Sequence, residues 1–182
     1  MELHARKARL IAQACARLGL EERVDVHVAD ATSAAALAEL LAASHGAGAL
    51  ADAVVLDAPC SGTGTLRRNP EHRYREAEPR RLESLCQLQA QLLDAAAGCV
   101  TLGGSLTYSV CSPLACETTD AIAAFLQRPP GDGFEVIKVD AAELQPYTAD
   151  CDSLGGARAC LRTWTHRHPA DSHFACKVKR VR

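Results

Sequence analysis

Ala53-Val-Val-Leu-Asp57-Ala-Pro-Cys60-Ser-Gly-Thr-Gly64 is the stretch of sequence that decides the fold. Its first four residues form a short apolar run, which is typical of a buried strand in a parallel sheet. The run stops at Asp57 and passes into a segment rich in Pro, Gly, Ser and Thr, which predicts a turn. Because ligands of open α/β sheets bind beyond the carboxyl ends of the strands, Asp57 and Cys60 are candidate site residues.

Helical and strand-like patterns alternate on both sides of this stretch. Leu85, Leu88 and Leu92 recur at helical spacing, for example, and residues 105–110 have the character of a strand. Such alternation predicts an α/β fold with a doubly wound, mostly parallel sheet, formed by a single domain over residues 1–182. The predicted helices cover 5–18, 34–43, 82–98 and 119–127, and the predicted strands cover 24–28, 53–56, 105–110, 134–139 and 175–181.

The composition excludes several classes of protein. The chain has 182 residues, of which 48% are hydrophobic and 23% charged, as in soluble globular proteins. No uninterrupted apolar run predicts a transmembrane helix or a signal peptide. The nine cysteines include no pair at CxxC spacing, so neither a metal site nor a disulfide framework is expected. Most of the thiols are predicted to pack in the interior of a protein from a reducing compartment.

The charge is unevenly distributed along the chain. The formal net charge is only −2, but residues 66–81 hold six Arg against three Glu. Residues 156–182 hold seven Lys and Arg against Asp171 alone. A solvated surface is one interpretation of either segment. Two such segments with interleaved His favour an anionic polymer as a partner equally well.

Reactive residues follow three of the predicted strands. Asp30, Asp57 and Cys111 each stand at a strand end, and Cys60 lies three residues beyond Asp57. Carboxyl ends of parallel strands meet at one edge of a sheet, so these residues are expected to form one site. The Gly-rich loop that a nucleotide-binding fold places after its first strand is not found here. The domain is therefore predicted to be incomplete.

Two motifs resemble those of one enzyme family. The segment over 57–70 resembles the DAPCSGTG motif of the RNA cytosine-5 methyltransferases of the Sun (RsmB-like, or NOP/Sun) group. Tyr108-Ser-Val-Cys-Ser112, followed by Glu117, resembles the Y-x-x-C-S motif of the same group. The closing segment of the family is similar to three stretches within 161–177, namely 161–162, 166–168 and 171–177, so the resemblance extends over nearly the whole chain.

The resemblance implies a Rossmann-like class I methyltransferase that transfers a methyl group from S-adenosylmethionine to carbon 5 of cytosine in structured RNA. Carbon 5 is too poor a nucleophile to attack the donor directly, so a thiolate first adds to carbon 6. By similarity Cys111 is this nucleophile. Cys60 is the second thiol, which assists loss of the carbon-5 proton and release of the enzyme.

The same resemblance implies roles for residues that bind the cofactor and the RNA. Asp57 is expected to approach both the cofactor and the target base, Asp30 the adenine, and Glu2 the ribose hydroxyls. Ribosomal RNA is favoured as the substrate, and transfer RNA is the alternative. The chain is expected to be a monomer of the cytoplasm or another reducing compartment, an organelle or the nucleolus included. Candidate contacts to the RNA backbone are Arg67, Arg68, Arg73 and Arg75.

Departures from the family pattern concern the cofactor more than the chemistry. The Gly-rich loop with its lysine, the first strand and an amino-terminal RNA-binding extension are not present in this sequence. Ser172-His173 stands where the family usually has Gly-Phe, Val110 where it usually has Thr, and Thr118 where Asn is common. None of these changes removes a reactive group. His168 and Asp171 are expected to serve structure or RNA contact and not catalysis.

Two further hypotheses compete with the enzyme. A non-catalytic RNA-binding fragment would keep the basic segments but would not hold cofactor by itself. A cysteine hydrolase would need an imidazole near Cys111, and no His is close to it in sequence. A DNA cytosine methyltransferase is expected to use the Pro-Cys thiol, here Cys60, so the motif around Cys111 favours RNA.

Overall fold

A computed structural model describes residues 1–75 and 79–182. It describes the side chains of all these residues except 75 and 79. It divides the chain into two compact units, Met1–Leu50 and Ala51–Arg182. The expectation of one incomplete domain over residues 1–182 stays a prediction. Within the described ranges, no helix is both long enough and apolar enough to cross a membrane.

The first unit contains two helices. Helix α1 spans Ala5–Leu18 and ends at Gly19, whose positive φ of 66° suits glycine, and α2 spans Ala34–His45. The Ser33 hydroxyl accepts a hydrogen bond from the Ala36 N–H and so caps α2. The strand expected over 24–28 is reduced to one parallel bridge, between Glu2 and Val28. An alternating pattern forms a strand only where a neighbouring strand supplies a ladder of hydrogen bonds.

The second unit contains the sheet. Its long helices are α4 and α5, and the single turn α3 precedes α4. The six strands are numbered in chain order. In sequence the elements are β1 (Ala51–Asp57), α3 (His72–Arg75), α4 (Pro79–Gly98), β2 (Val100–Val110), α5 (Thr119–Leu126), β3 (Phe134–Val136), β4 (Thr148–Cys151), β5 (Gly156–Thr163) and β6 (His173–Arg180).

The strand order confirms the α/β class and shows where the sheet changes direction. The order is β1-β2-β6-β5-β4, and β3 also pairs with β6. Strands β1, β2, β3 and β5 run in one direction, and β4 and β6 run in the other. Because the antiparallel β6 lies between β2 and β5, β1–β2 is the one parallel ladder among the described strands of this sheet. The short connection from β5 to β6 allows this antiparallel return without a crossover helix.

One face of the sheet carries the hydrophobic core. Leu106, Tyr108 and Val110 alternate along β2 and are almost completely buried. They belong to the same cluster as Ile122 and Phe125 of α5. On the opposite face, Val55 of β1 is 75% exposed. Strand β1 is therefore a half-buried edge strand and not the fully buried strand that its apolar run indicates.

Two leucines of β2 provide a test of this arrangement. We expect Leu106→Ala to lower the free energy of unfolding by about 2–5 kcal/mol, because Leu106 is fully buried and its removal leaves a cavity. Leu102→Ala is the matched control: this side chain is 66% exposed, and the expected change is within about 0.5 kcal/mol. Urea denaturation measures both. Equal losses would contradict the burial of Leu106 in the core.

Candidate active site

Four strands, β1, β2, β5 and β6, each have one terminus at the same end of the sheet. Asp57, the last residue of β1, pairs with Ser109 near the end of β2, and Ser109 pairs with Ala175 of β6. Thr163, the last residue of β5, pairs with His173, the first residue of β6. The segments that leave β1 and β2 therefore start side by side. The residues of the two sequence motifs therefore lie close together at this end of the sheet, as their positions at strand ends predict.

The two motif cysteines face each other directly. The Cys60 and Cys111 sulfurs are 3.2 Å apart, within hydrogen-bonding distance. The hydrogen bond from Cys60 lowers the pKa of Cys111 to about 7, although burial and the charges of Asp57 and Glu117 oppose the shift. The pKa of Cys60 is raised, first by its hydrogen bond to Cys111 and then by burial. Cys111 is therefore the thiolate of the pair at neutral pH, and Cys60 is the thiol.

The backbone of Gly64, in the loop after β1, contacts the segment at Cys111 and the segment at Ser172. Its N–H donates to the Cys111 carbonyl (3.1 Å), and its own carbonyl accepts from the Ser172 N–H (3.0 Å). A Cβ at this position would overlap the Ser172 carbonyl and lie 2.7 Å from the Cys111 carbonyl oxygen. Only glycine allows the backbone of the β1 loop to approach both neighbours so closely. The composition of the motif predicts a turn here but not this contact.

Glu117 fixes the loop next to Cys60. Its buried carboxylate accepts hydrogen bonds from the Ser61 N–H (2.8 Å), the Ser61 hydroxyl (2.6 Å) and the Gln89 side-chain amide (3.1 Å). Its carbonyl accepts from the Tyr108 hydroxyl (2.8 Å). Hydrogen bonds of this kind offset the cost of burying a carboxylate. Sequence reasoning assigned no role to Glu117, because spacing in a motif carries no signal of burial.

Asp57 is exposed and has a hydrogen-bond partner on the neighbouring strand. The Ser109 hydroxyl donates to Asp57 Oδ1 at 3.4 Å and lies 2.8 Å from His173 Nε2. Among the described residues, the hydrogen-bond partner of the Cys111 thiol is Cys60, and no imidazole contacts it. This arrangement does not supply the Cys–His pair of a cysteine hydrolase.

The acidic residues expected to hold the cofactor lie in the first unit, where Asp30 is exposed and Glu2 is half-buried. Glu2 Oε1 accepts from the His4 N–H at 2.9 Å, and Asp30 Oδ1 accepts from the N–H (2.9 Å) and hydroxyl (2.7 Å) of Thr32. These backbone hydrogen bonds lower the pKa of both carboxyls. A carboxylate has more lone pairs than these hydrogen bonds use, so both groups can accept further hydrogen bonds. They fit the hydroxyl and amino donors of an adenosine group.

The arginines expected to contact RNA differ in their surroundings. Arg68 donates from Nε to Asp171 Oδ2 (2.6 Å) and forms a second contact from its Nη2, while Arg67 Nε lies 3.6 Å from Asp171 Oδ1. Both side chains stay more than half exposed, and one carboxylate cannot neutralise two guanidinium groups. Arg73 is exposed. The side chain of Arg75 lies outside the described residues.

Two further residues of the closing segment, His168 and Arg162, contact the protein backbone. His168 Nδ1 accepts from the Trp164 N–H (2.9 Å), and Arg162 donates to the Pro113 carbonyl (2.7 Å) and lies over the Trp164 ring. Burial lowers the pKa of Arg162. In the part of the chain that is described, no group of three potential metal ligands is found.

The pH dependence of thiol alkylation tests the cysteine pair. We expect the alkylation rate of Cys111 by iodoacetamide to rise with a midpoint at pH about 7. In Cys60→Ala the midpoint should move to higher pH, because the hydrogen bond that contributes most to lowering the pKa of Cys111 is lost while burial and the two carboxylates remain. Mass spectrometry of the cysteine peptides measures both. An unchanged midpoint in Cys60→Ala would contradict the pairing.

The close approach at Gly64 gives a second test. Gly64→Ala should lower the free energy of unfolding by about 1–3 kcal/mol, because its Cβ overlaps backbone atoms that cannot move independently. Gly98→Ala serves as the control, since a Cβ at the end of α4 meets no atom within 4 Å and alanine favours the helix. Chemical denaturation that found the two variants equally stable would show that the three segments do not meet at Gly64.

Comparison with known proteins gives the family of this chain. The family described as 16S rRNA methyltransferase RsmB/F matches residues 1–179. Ribosomal RNA small subunit methyltransferase B of Xanthomonas campestris pv. campestris is 39% identical over 129 residues, which cover 70% of this chain and 27% of that protein. The protein of the same name from Salmonella agona is 47% identical over 79 residues, covering 43% of this chain and 18% of that protein.

A solved structure supports the same fold. The crystal structure of NSun6 from Pyrococcus horikoshii with SFG matches 99% of this chain and 40% of that chain, with a TM-score of 0.75 at 21% identity. The present chain spans only 27% of the length of its Xanthomonas relative. Since the family match extends over 179 of its 182 residues, the chain belongs to the 16S rRNA methyltransferase RsmB/F family.

Proposed function

We propose that this chain carries the catalytic thiols of an RNA (cytosine-5) methyltransferase that acts on ribosomal RNA and uses S-adenosylmethionine. The observation that carries the proposal is the Cys60–Cys111 pair, in which one thiol has a pKa lowered to about 7. Membership of the RsmB/F family and the name of the Xanthomonas relative support ribosomal RNA as the substrate class. The NSun6 structure was solved with SFG, an analogue of S-adenosylmethionine, which supports the methyl donor.

The thiolate of Cys111 begins the chemistry. Its sulfur forms a bond to carbon 6 of the cytosine ring, and the displaced electron pair makes carbon 5 an enamine-like nucleophile. A pKa of about 7 leaves a large thiolate fraction at neutral pH, while the thiolate remains basic enough to attack. Asp57, exposed at the end of β1, would hold the ring nitrogen that receives charge as the sulfur adds.

Cys60 would complete the reaction by accepting the carbon-5 proton. While Cys111 is a thiolate, it accepts a hydrogen bond from the Cys60 thiol, and its negative charge disfavours ionisation of Cys60. Once the Cys111 sulfur is bonded to carbon, that charge is gone and Cys60 ionises more readily. Loss of the carbon-5 proton then expels Cys111 as the thiolate and restores the ring. The coupled pair therefore makes the second thiol available only after the first has reacted.

The cofactor and the RNA would be held by residues outside this pair. S-adenosylmethionine supplies an electrophilic methyl group, and Glu2 and Asp30 would accept hydrogen bonds from its ribose hydroxyls and its adenine amino group. The target cytosine must leave its stack to reach Cys111, which costs a few kcal/mol. Arg67, Arg68 and Arg73 would bind phosphates of the flanking backbone. Free catalytic thiols require a reducing compartment, and the cytoplasm is the one we propose, with the chain acting as a monomer.

Transfer of labelled methyl groups tests the proposal. We expect the full chain, incubated with labelled S-adenosylmethionine and a transcript of small-subunit ribosomal RNA, to form labelled 5-methylcytosine. Cys111→Ala should abolish the label, because the sulfur that bonds to carbon 6 is removed. Cys60→Ala should accumulate a covalent protein–RNA complex, because the carbon-5 proton is no longer removed. Nucleoside analysis and denaturing gels measure the two effects.

Cys151→Ala is the matched control for loss of a half-buried thiol, since Cys151 lies on β4 and contacts Ser153. It should retain wild-type methyl transfer. RNA binding with no methyl transfer by the wild-type chain would contradict the proposal and would support a non-catalytic RNA-binding fragment. Methyl transfer that survives Cys111→Ala would contradict the assignment of the nucleophile.

A further inference from the structure

Three polar side chains on neighbouring strands form a hydrogen-bonded row at the site. His173 Nε2 lies 2.8 Å from the Ser109 hydroxyl oxygen, and that hydroxyl donates to Asp57 Oδ1 at 3.4 Å. The register of the sheet produces the row, because Asp57 pairs with Ser109 and β6 is the next strand. The His173 backbone is fixed separately, since its N–H donates to the Thr163 hydroxyl at 2.8 Å.

The orientation of the Ser109 hydroxyl proton determines which group donates and which accepts in this row of hydrogen bonds. A hydroxyl group has one proton, so Ser109 can donate to Asp57 only if His173 Nε2 carries a hydrogen and donates to Ser109. If Nε2 lacked its hydrogen, Ser109 would donate to the imidazole and leave the carboxylate without this partner. The state of His173 therefore decides whether the Asp57 carboxylate is held toward β2.

We propose that His173 is a positioning residue that acts through Ser109 to hold the Asp57 carboxylate in the orientation that receives the target base. This inference rests on the proposed function, because the orientation matters only if Asp57 contacts the base. The imidazole stands where the family usually has Phe, which has no group able to donate to Ser109. This chain thus supports its site aspartate by a hydrogen bond that the usual family residue does not provide.

The environment of His173 makes clean variants possible. Its side chain is exposed and lines a cavity of about 310 Å³ together with Leu161, Thr163 and Ala175, so a Phe ring has room in the same place. His173→Phe removes the donor and keeps an aromatic ring. His173→Gln keeps an N–H close to the position of Nε2. Ser109→Ala removes the middle of the row and leaves both ends in place.

Methyl-transfer kinetics of these variants test the role. We expect His173→Phe and Ser109→Ala each to lower kcat about 10-fold while KM for the ribosomal RNA transcript changes less than about 2-fold, because a misplaced carboxylate impairs the reaction more than binding. The double variant should be no slower than either single variant, since one row is broken in each case. His173→Gln should recover most of the lost rate.

Nitrogen-15 NMR of the His173 imidazole tests the row without any reaction. At a pH of about 8.5 the wild-type ring should carry its hydrogen on Nε2, and the signal is assigned by its loss in His173→Phe. Asp57→Ala should shift the hydrogen toward Nδ1, because Ser109 is then free to donate to Nε2. A wild-type ring protonated on Nδ1 would overturn the proposal.

The kinetic outcomes separate this inference from the proposed function. An active wild type with full kcat in His173→Phe overturns the positioning role and leaves the methyltransferase proposal standing. Additive losses in the double variant also overturn it, because they mean that Ser109 and His173 act independently. A wild type with no methyl transfer overturns the proposed function and this role together, whatever the NMR shows of the row.

Discussion

The buried carboxylate of Glu117 is the constraint on which the geometry of the site depends. It lies just after β2, yet it binds the backbone and hydroxyl of Ser61, the residue next to Cys60. The β1–β2 ladder places the two strand ends side by side, but a ladder does not determine the path of the loops beyond it. Glu117 supplies this second restraint, and Gly64 adds a third by its contact with the Cys111 carbonyl. Together they hold two sulfurs 3.2 Å apart on different loops.

The short distance between the sulfurs matters because it makes the two ionisations depend on each other. A thiol that donates to its neighbour favours the neighbouring thiolate, and the resulting charge disfavours a second ionisation. The nearby carboxylates of Asp57 and Glu117 work against Cys111, so the lowered pKa depends on Cys60. The contact that lowers the pKa of Cys111 thus also raises the pKa of Cys60, which stays a thiol until Cys111 has reacted. Catalytic order follows from the electrostatics of one pair.

Much of the fold is predictable from the sequence where the pattern is strongly periodic. The helix over 5–18 is found with the same bounds, and Cys60 and Cys111 meet as the strand-end argument predicts. The sequence does not predict β4 and β5 as separate strands, because their short mixed sequences lack an alternating signal. The sequence over 24–28 alternates as a strand does, but among these residues Val28 alone forms a β-bridge.

The supporting residues of the site were the hardest to predict. Glu117 belongs to a motif and His173 departs from one, but the sequence at neither position indicates which residues it contacts. A hydrogen bond between Glu117 and Ser61, or between His173 and Ser109, joins residues more than fifty positions apart. Such contacts arise from sheet register and loop path, which a single sequence does not encode locally.

The identity of the sulfur that bonds to the base tests the central claim most directly. RNA containing 5-fluorocytosine has no carbon-5 proton to lose, so the covalent complex formed after methyl transfer cannot resolve. Digestion and mass spectrometry of the trapped complex should locate the nucleotide on the peptide that contains Cys111. A nucleotide found on Cys60, or no adduct from a chain that methylates unmodified RNA, would contradict the roles assigned to the two thiols.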